Sequence, residues 1–376
     1  MSKRLLRLLA AMLALAMVAA ACASDDGDDE AAEAESTEAE STEAEEGAED
    51  EEAMEDEEEA MEDEEEAMED GEAVGEDGEP LRVAFFGYSN VNGFTQGIWT
   101  GVQDGATAAG VEAELFDGQF DGELQAQQIQ NATTSGEFDV YIIAANNGAA
   151  ITPAVEEAIA EGISVTAVYS AIGPDFTTLD PQIDGLLFAG TPIAANGTGL
   201  AEMAIDACGD LNPCNVSYLI GFANFPLDDA RTAAFEETIA TASNVVLVDN
   251  AVGGYDQATG QAAADAVFLA NDRVDVMVGS SQAILGAEQS AISNGVEDVL
   301  FIGNGSPTQA VEAVKEGRWF GVWVDVVQDA GRLGVELGVE GQTGGAPAES
   351  TNLDDFAPVL KGTADTLGDF EGQWTN

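Results

Sequence analysis

The sequence predicts an α/β protein with two doubly wound parallel-sheet lobes joined by a hinge. From residue 81 onward, apolar runs of strand length alternate with segments of helical periodicity, which is the pattern of repeated strand–helix–strand units. The strands are apolar on both faces, as expected for parallel strands that helices cover on each side. They are also too many for one small sheet, so the pattern indicates two lobes of similar design.

The elements of the first lobe follow one another in a regular order. LRVAFFGYS is the first strand, FTQGIWTGVQDGATAAG the first helix and VEAELFD the second strand. Strand DVYIIAAN, helix PAVEEAIAEG and strand ISVTAVYS continue the alternation. A turn-rich stretch at 171–184 ends this first round.

A second round of strands starts after this stretch. Its predicted strands are GLLFAGT, NVSYLIGFAN, NVVLVDN, VDVMVGSS, DVLFIGNGS and FGVWVDVV, separated mostly by helices. We expect the chain to cross between the lobes near 189–191, near 325–327 and again after 340. The predicted lobe boundaries are 81–190 plus 326–355 for the first lobe and 191–325 plus 356–376 for the second.

Residues 1–21 have the pattern of an export signal. Lys3, Arg4 and Arg7 precede the apolar run LLAAMLALAMVAA, which is too short to span a bilayer comfortably. The following VAAAC resembles the lipobox of bacterial lipoproteins, whose cysteine, here Cys22, carries the lipid. We therefore expect export and lipid anchoring at the outer face of the bacterial cell membrane, in the periplasm or on the cell surface. An ordinary secretory signal with an incidental cysteine is the alternative.

Residues 22–80 are predicted to be a disordered acidic tether. Beyond the cysteine they are almost all Glu, Asp, Ala, Ser, Thr and Gly, which cannot bury enough apolar surface to offset the entropy of ordering. AMEDEEE repeats every seven residues, at Met54, Met61 and Met68. A coiled coil needs two apolar positions per heptad and less charge, so a solvated tether is favoured. As a flexible coil, the tether would have an end-to-end distance of roughly 42 Å.

Charge and composition exclude several functions. The chain has 73 acidic residues, ten Lys or Arg and no histidine, for a formal net charge of −63. Nucleic acid is excluded as a partner because phosphate binding needs a basic patch.

No nucleophile elbow and no dinucleotide-binding glycine turn occurs, so we expect neither enzymatic activity nor a cofactor. FDGQFDGE at 116–123 lacks the alternating spacing of a calcium loop, and no metal is expected. The acidity fits either adaptation to salt or simple solubility.

Cys208 and Cys214 are predicted to form a structural disulfide. An even pair of cysteines outside the cytosol is expected to be oxidised. The intervening loop contains Gly209, Asn212 and Pro213, which let it turn tightly enough to join the two sulfurs.

The loops after the strands carry the chemistry of a binding site. In parallel sheets, ligands bind beyond the carboxyl ends of the strands. The loops at those ends are YSNVNGF, AANNG, YSAIG, NFPLDDAR, GGYDQ, GSSQ and GNGSP. They supply Asn, Ser, Tyr, Asp and a single arginine, Arg231, in place of nucleophile–base pairs or metal cages. This set of side chains is suited to holding a neutral polar molecule.

Three motifs occur in an order and spacing that point to a family. NGFTQGIWTG at 92–101 has a glycine nine residues after its asparagine, ARTAAF at 230–235 has an arginine four residues before an aromatic residue, and GNGS at 303–306 ends a strand. In these features, over residues 81 to about 345, the chain resembles the type I periplasmic solute-binding proteins of ATP-binding-cassette sugar importers, in their lipoprotein form. The resemblance is in particular to the ribose-, galactose- and related sugar-binding group.

This resemblance implies binding without a chemical step. Proteins of this kind close two lobes around a ligand, here expected to be a small sugar or polyol, and present it to a membrane permease. The chain is expected to be a monomer held at the membrane by its lipid anchor. A ligand-sensing receptor of the same fold, which passes its closed form to a signalling partner, is the alternative.

The resemblance also implies which residues bind the ligand. Asn92 matches a polar contact, Phe94 and Tyr255 match aromatic walls, and Arg231 matches the sugar-binding arginine. The full predicted set is Asn92, Phe94, Thr95, Asn146, Tyr169, Arg231, Tyr255, Ser280, Asn304 and Asp325.

Several of these residues also have a structural interpretation. Arg231 can instead pair with Asp228 or Asp229, and the aromatic side chains can belong to the core. Asn304 can cap the helix that follows it. Asp325 can accept a ligand hydroxyl or pair with Arg231.

The chain departs from the family at two places. Tyr169 and Ser170 stand where the family has an Asp-Arg pair, and Ala144 replaces an asparagine, with Asn146 two residues further on. These differences put ribose itself in doubt and suggest a less hydroxylated small molecule.

Overall fold

The computed structural model describes residues 73–75 and 78–376. The predicted export signal, Cys22 and most of the predicted tether therefore lie outside the described residues. Within the described part of the chain, no helix combines the length and apolar character needed to cross a bilayer.

The last residues of the predicted tether are attached to the folded body. The Ala73 N–H donates to the carbonyl of Ala109 at 3.1 Å, and the Leu81 N–H donates to the carbonyl of Ala73 at 3.0 Å. Val74 and Pro80 form an antiparallel bridge. Because these backbone bonds fix them, the described residues before Leu81 belong to the body, and the prediction of a tether up to residue 80 is corrected here.

The first sheet has six parallel strands. They are β1 (Arg82–Gly87), β2 (Glu112–Asp117), β3 (Val140–Ile143), β4 (Ser164–Tyr169), β5 (Leu187–Gly190) and β11 (Ser350–Asn352). Their order across the sheet is β11-β5-β4-β3-β1-β2. GLLFAGT, predicted to open the second round of strands, thus belongs to the first sheet as β5, because its buried residues pair with β4, with Leu187 opposite Thr166.

Helices cover both faces of this sheet. They are α1 (Gly93–Ala109), α2 (Gly122–Ser135), α3 (Gly148–Ala160) and α9 (Val327–Gln342). Neighbouring residues of β1 point to opposite faces, so Phe85 packs in the core under α1 and α9, and Phe86 packs in the core under α2 and α3. This explains why the strand is a continuous apolar run.

The second sheet also has six strands, and one of its two edge strands is antiparallel to its neighbour. Its strands are β6 (Cys214–Ile220), β7 (Val245–Val252), β8 (Val276–Ser280), β9 (Leu300–Asn304), β10 (Gly321–Trp323) and β12 (Lys361–Gly362). Their order is β12-β10-β9-β8-β6-β7, and β12 alone of these runs antiparallel to its neighbour. The helices of this lobe are α4 (Ile193–Cys208), α5 (Pro226–Ile239), α6 (Gln257–Ala270), α7 (Ser281–Asn294) and α8 (Thr308–Lys315). The predicted fold class, two doubly wound lobes, is confirmed.

Over residues 78–376, the chain passes between the two sheets three times. The crossings follow β5 at Gly190, β10 at Trp323 and β11 at Asn352. The last crossing leads to β12 in the second sheet, yet Trp374 packs in the core of the first lobe. The C-terminal residues therefore contact both lobes.

Glycine lets α1 and α9 approach very closely. A Cβ atom on Gly101 would lie 1.9 Å from the carbonyl oxygen of Gln328, and one on Gly331 would lie 2.1 Å from that of Ile98. Gly101 is the glycine nine residues after Asn92 that the sequence motif contains. Its role is to permit this backbone contact.

Cys208 and Cys214 form the predicted disulfide, which is confirmed, with the two sulfurs 2.06 Å apart. The bond joins the end of α4 to the start of β6 and closes the short loop between them.

Candidate ligand-binding site

A cavity of about 50 Å³ lies between the carboxyl ends of the two sheets. A cavity that holds a single water has a volume of roughly 10–15 Å³ by the same measure, so this cavity has room for several water-sized groups. Both lobes contribute to its wall, and Asp325 joins it from the second crossing. The lining residues are Tyr88, Asn92, Phe94, Phe120, Tyr169, Phe225, Leu227, Arg231, Tyr255, Gln282, Asn304 and Asp325.

Arg231 lies on α5 and is 4% exposed. Its Nε donates to Oδ1 of Asn196 at 2.5 Å, and one terminal nitrogen donates to Oδ1 of Asp228 at 2.8 Å and to the Tyr255 hydroxyl at 3.2 Å. The other terminal nitrogen reaches the Tyr169 hydroxyl only at 3.5 Å. The guanidinium is thus held rigidly on one side and has a weakly engaged donor group on the other.

Asp228 supplies the countercharge for Arg231. Its Oδ2 accepts from the Phe222 N–H at 2.7 Å, and its Oδ1 also accepts from the Tyr255 hydroxyl. Burial raises the pKa of the Asp228 carboxyl above its ordinary value, while the arginine opposes this effect. A Cβ atom on Gly221 would lie 2.2 Å from Oδ2, so this glycine makes room for the carboxylate. The ion-pair and cavity-lining interpretations of Arg231 therefore both hold.

Asp325 carries a buried carboxylate that no cation of the described residues pairs with. It is 6% exposed, and its Oδ2 accepts from the Tyr169 hydroxyl at 3.5 Å, longer than an ordinary O–H···O bond. Among the described residues no Lys or Arg nitrogen lies within 4.0 Å of it, so the predicted pairing with Arg231 is not formed. Burial raises the pKa of Asp325 to about 7, although Arg231 opposes this.

Aromatic rings form much of the wall. Phe94 packs edge-on against Tyr169, with ring centroids 4.8 Å apart, and against Trp374 at 5.6 Å. Phe120 of the first lobe stacks on Tyr255 of the second, with centroids 6.2 Å apart. Phe120 and Tyr169 have φ angles of 55° and 67°, which non-glycine residues seldom adopt. Backbone conformations of this kind cluster at ligand sites, where the surrounding structure maintains them.

Two asparagines of the wall are fixed by hydrogen bonds. Asn92 caps α1 with its side chain, and its Nδ2 donates across the cleft to the Tyr255 carbonyl at 3.4 Å. Asn304 Oδ1 accepts from Asn196 Nδ2 at 2.9 Å. Helix α8 begins after Pro307 without a side-chain cap, so Asn304 does not cap that helix.

Seven of the ten predicted site residues line the cavity, and three do not. Thr95 is buried in α1, where its Oγ1 accepts from the Ser89 N–H at 3.4 Å. Asn146 donates from Nδ2 to the Tyr88 carbonyl at 3.2 Å. Ser280 caps α7. These three side chains hydrogen-bond to neighbouring backbone groups and are not among the lining residues, so their role in ligand binding stays a prediction.

Five lining residues were not predicted from the sequence. Tyr88, Phe225, Leu227 and Gln282 lie in or beside the strand-end loops, and Phe120 lies in the segment that was considered only as a calcium loop. Their position at strand ends was a usable signal. Asn196, which links Arg231 to Asn304, lies inside α4 and gave none.

The described residues contain no group of three or more His, Cys, Asp or Glu side chains that could hold a metal ion. The polar atoms of the cavity belong to amide, hydroxyl, carboxylate and guanidinium groups. Groups of these kinds can orient a small molecule by hydrogen bonds.

The sequence of the chain matches a known protein family. The sequence model of a family described as the periplasmic binding protein domain matches residues 83–345. No curated protein sequence matches the chain.

Solved structures share the fold. One is a periplasmic solute-binding protein of an ABC transporter from Actinobacillus succinogenes with bound D-allose. Its sequence identity to this chain is 14% and the TM-score is 0.67, and the match covers 77% of this chain and 100% of that one. A myo-inositol binding protein from Caulobacter has 17% identity, a TM-score of 0.65, and coverage of 73% and 91%. A periplasmic ribose ABC transporter protein from Conexibacter woesei has 19% identity, a TM-score of 0.61, and coverage of 79% and 95%.

Proposed function

Because the chain belongs to the periplasmic binding protein family, we propose that it captures a small sugar or polyol between its lobes for an ATP-binding-cassette importer. The family consists of solute-binding proteins, which confirms the prediction that the chain is not an enzyme. Family membership also implies a location outside the cytoplasm. Solved structures of the same fold hold D-allose and myo-inositol.

The observation that carries this proposal is the position of Arg231 on the cavity wall. Its guanidinium is fixed by Asn196 and Asp228, while a terminal nitrogen makes only a long contact with Tyr169. A planar donor held in this way suits ligand hydroxyl oxygens. The rings of Phe94 and Tyr255 in the same wall suit the apolar C–H faces of a sugar.

Ligand binding favours the closed arrangement of the lobes. Contacts such as Asn92 to Tyr255 and Phe120 to Phe222 already join the two sides of the cleft. A ligand that contacts both walls shifts the equilibrium toward this arrangement by its differential affinity. The closed form is then the one that the permease binds, and release occurs when the lobes part.

The remaining parts of the proposal concern the membrane. VAAAC at 18–22 supports a lipid anchor at Cys22, and the acidic segment after it would separate the body from the bilayer. We propose a monomer that acts beside its permease. A receptor of the same fold remains the alternative, and ligand uptake by permease-containing vesicles with and without the protein distinguishes the two.

A thermal-shift screen tests the ligand class. The full chain is heated with aldoses, cyclic polyols, short linear polyols, amino acids and small carboxylates. A ligand present at about 100 times its dissociation constant stabilises the folded state by roughly 2.7 kcal/mol, which raises the melting temperature by several degrees. A response confined to sugars or polyols supports the proposal. A response confined to amino acids contradicts it.

A further inference from the structure

We infer that the ligand carries a protonated amino group that binds at Asp325, so that it is an amino-substituted polyol or sugar. This inference rests on the proposed function, because it concerns the ligand of the same cavity. It goes beyond a neutral hydroxylated molecule, which the strand-end loops alone suggested.

The hydrogen bonding of the Asp325 carboxylate is incomplete. An ionised carboxylate offers about four acceptor positions. Within the described structure, one side-chain donor reaches it, the Tyr169 hydroxyl at 3.5 Å. The backbone of Asp325 is satisfied separately, since its N–H and carbonyl both bond to Ser306 Oγ, at 3.1 and 3.0 Å. The carboxylate therefore needs donors, and it lines the ligand cavity. An ammonium supplies three donors, whereas a hydroxyl supplies one.

The charges of Arg231, Asp228 and Asp325 do not balance. Arg231 is neutralised by Asp228, with nitrogen and oxygen 2.8 Å apart and both side chains buried. Asp325 has no such partner among the residues that the structure describes, so the three groups together carry one net negative charge when all are ionised. A buried charge without a counterion is strongly unfavourable, and a ligand cation would remove this penalty. A neutral ligand would leave it in place.

The cavity that Asp325 lines has aromatic rings in its wall. The hydroxyl of Tyr169 contacts Asp325, and Phe94 packs on the Tyr169 ring in the same wall. Tyr88 belongs to the same wall. Aromatic rings attract cations through their quadrupoles, and the attraction increases where water is excluded. A cavity that combines a carboxylate with several aromatic rings is therefore better matched to an ammonium than to a hydroxyl.

The ionisation behaviour of Asp325 agrees with these arguments. Burial raises its pKa to about 7, Arg231 lowers it, and Asp354 and the Tyr169 contact are the other groups that face it. Asp354 lies on the hinge side, where its Oδ1 accepts from Thr191 Oγ1 at 2.7 Å. A bound cation would stabilise the ionised form, so amine affinity should increase as the pH rises through this value.

Two compounds of equal size test the inference. Glycerol and 2-amino-1,3-propanediol differ by one hydroxyl replaced by an ammonium. Their dissociation constants are measured by NMR titration of the full chain at about pH 7.5, where Asp325 is mainly ionised. We expect the amine to bind about tenfold to a hundredfold more tightly, as for one charge-assisted hydrogen bond.

Two variants assign this preference to Asp325. Asp325→Asn keeps the shape and removes the charge, and it should bring the two dissociation constants to within about threefold of each other. Asp354→Asn removes a nearby carboxylate that does not line the ligand cavity, and it should keep the preference. Both variants are first checked by circular dichroism.

Three outcomes would overturn the inference. They are equal or tighter binding of glycerol, an amine preference that survives in Asp325→Asn, and no binding of either compound. If one of these occurs while a neutral sugar responds in the thermal-shift screen, the inference is wrong and the proposed function stands. If no sugar or polyol responds in that screen and neither glycerol nor 2-amino-1,3-propanediol binds, the proposed function itself is wrong.

Discussion

Phe94 and Trp374 pack edge to face, with ring centroids 5.6 Å apart and ring planes at 80°. Phe94 is part of the cavity wall, and Trp374 lies near the C-terminus in residues 372–376, which we call the C-terminal strap. The strap bonds to the second lobe, where the Thr308 N–H donates to the Trp374 carbonyl at 2.9 Å. It also bonds to the first lobe, where the Gln328 N–H donates to the Gln373 side chain at 2.8 Å. The strap thus connects both lobes directly behind the binding wall.

Replacement of Trp374 should weaken both the fold and the site. Trp374→Ala removes a large buried side chain and should lower the free energy of unfolding by about 3 kcal/mol or more. Ligand affinity should also fall, because Phe94 loses the ring that positions it. Trp374→Phe retains an aromatic ring and should lose less of each. Chemical denaturation and calorimetric titration measure the two effects, and unchanged values for Trp374→Ala would argue against a strap.

Replacement of Arg231 should affect binding more than folding. Arg231→Lys keeps a charge for Asp228, but one ammonium cannot reproduce the planar set of bonds to Asn196, Asp228 and the ligand. We expect a loss of affinity of about tenfold to a hundredfold. Arg273→Lys changes a half-exposed arginine of the same lobe and should bind normally. Equal affinities for the two variants would show that Arg231 does not contact the ligand.

Replacement of Gly101 should separate two helices. The added methyl group of Gly101→Ala would lie 1.9 Å from the Gln328 carbonyl oxygen, which is backbone and cannot rotate away. We expect a destabilisation of about 2 kcal/mol or more, since α1 and α9 must move apart. Gln103→Ala, at an exposed position of the same helix, should change stability by less than about 0.5 kcal/mol. Similar melting temperatures for both variants would contradict the close contact.

The stability of the protein should depend on pH through Asp325. Its pKa rises from 3.8 to about 7 on folding, chiefly through burial, with Arg231 opposing and Asp354 and Tyr169 also facing the group. Between these two values the folded state holds a proton that the unfolded state releases, so stability should fall as the pH rises through this window. At about 1.4 kcal/mol per pKa unit, the loss is on the order of 4 kcal/mol.

The Asp325→Asn variant isolates this effect. Because asparagine does not titrate, its stability relative to the wild type should increase from about pH 4 to about pH 7. Denaturant unfolding at several pH values measures the difference. Asp184→Asn, at an exposed position, serves as the control. A difference between Asp325→Asn and the wild type that does not change with pH would show that Asp325 is ionised throughout.

The fold was predictable because most strands are long apolar runs. Consecutive apolar residues mark β1, β3 and β8 in the sequence without any tertiary information, and these strands are buried on both faces in the structure. The two short edge strands, β11 and β12, have three and two residues and are not apolar runs. Their formation depends on neighbouring strands, so the sequence gives no local signal for them.

The site was predictable in location but only partly in detail. Strand ends place loops at the cleft, which is why Asn92, Arg231 and Asp325 were correctly expected near one another. The position of a residue at a strand end does not determine the direction of its side chain. Ser280 shows this, because its hydroxyl turns back to cap α7 and to donate to the Gly254 carbonyl. Such hydrogen bonds depend on segments far away in the chain.

A crystal structure of the full chain with the tightest compound from the screen tests the central claim most directly. The account predicts that the compound lies between the lobes, with a polar atom within about 3.2 Å of the Arg231 guanidinium. It also predicts that Phe94 and Tyr255 contact the carbon skeleton of the compound. A compound bound on an outer face of either lobe, with Arg231 bonded to protein atoms alone, would contradict the account.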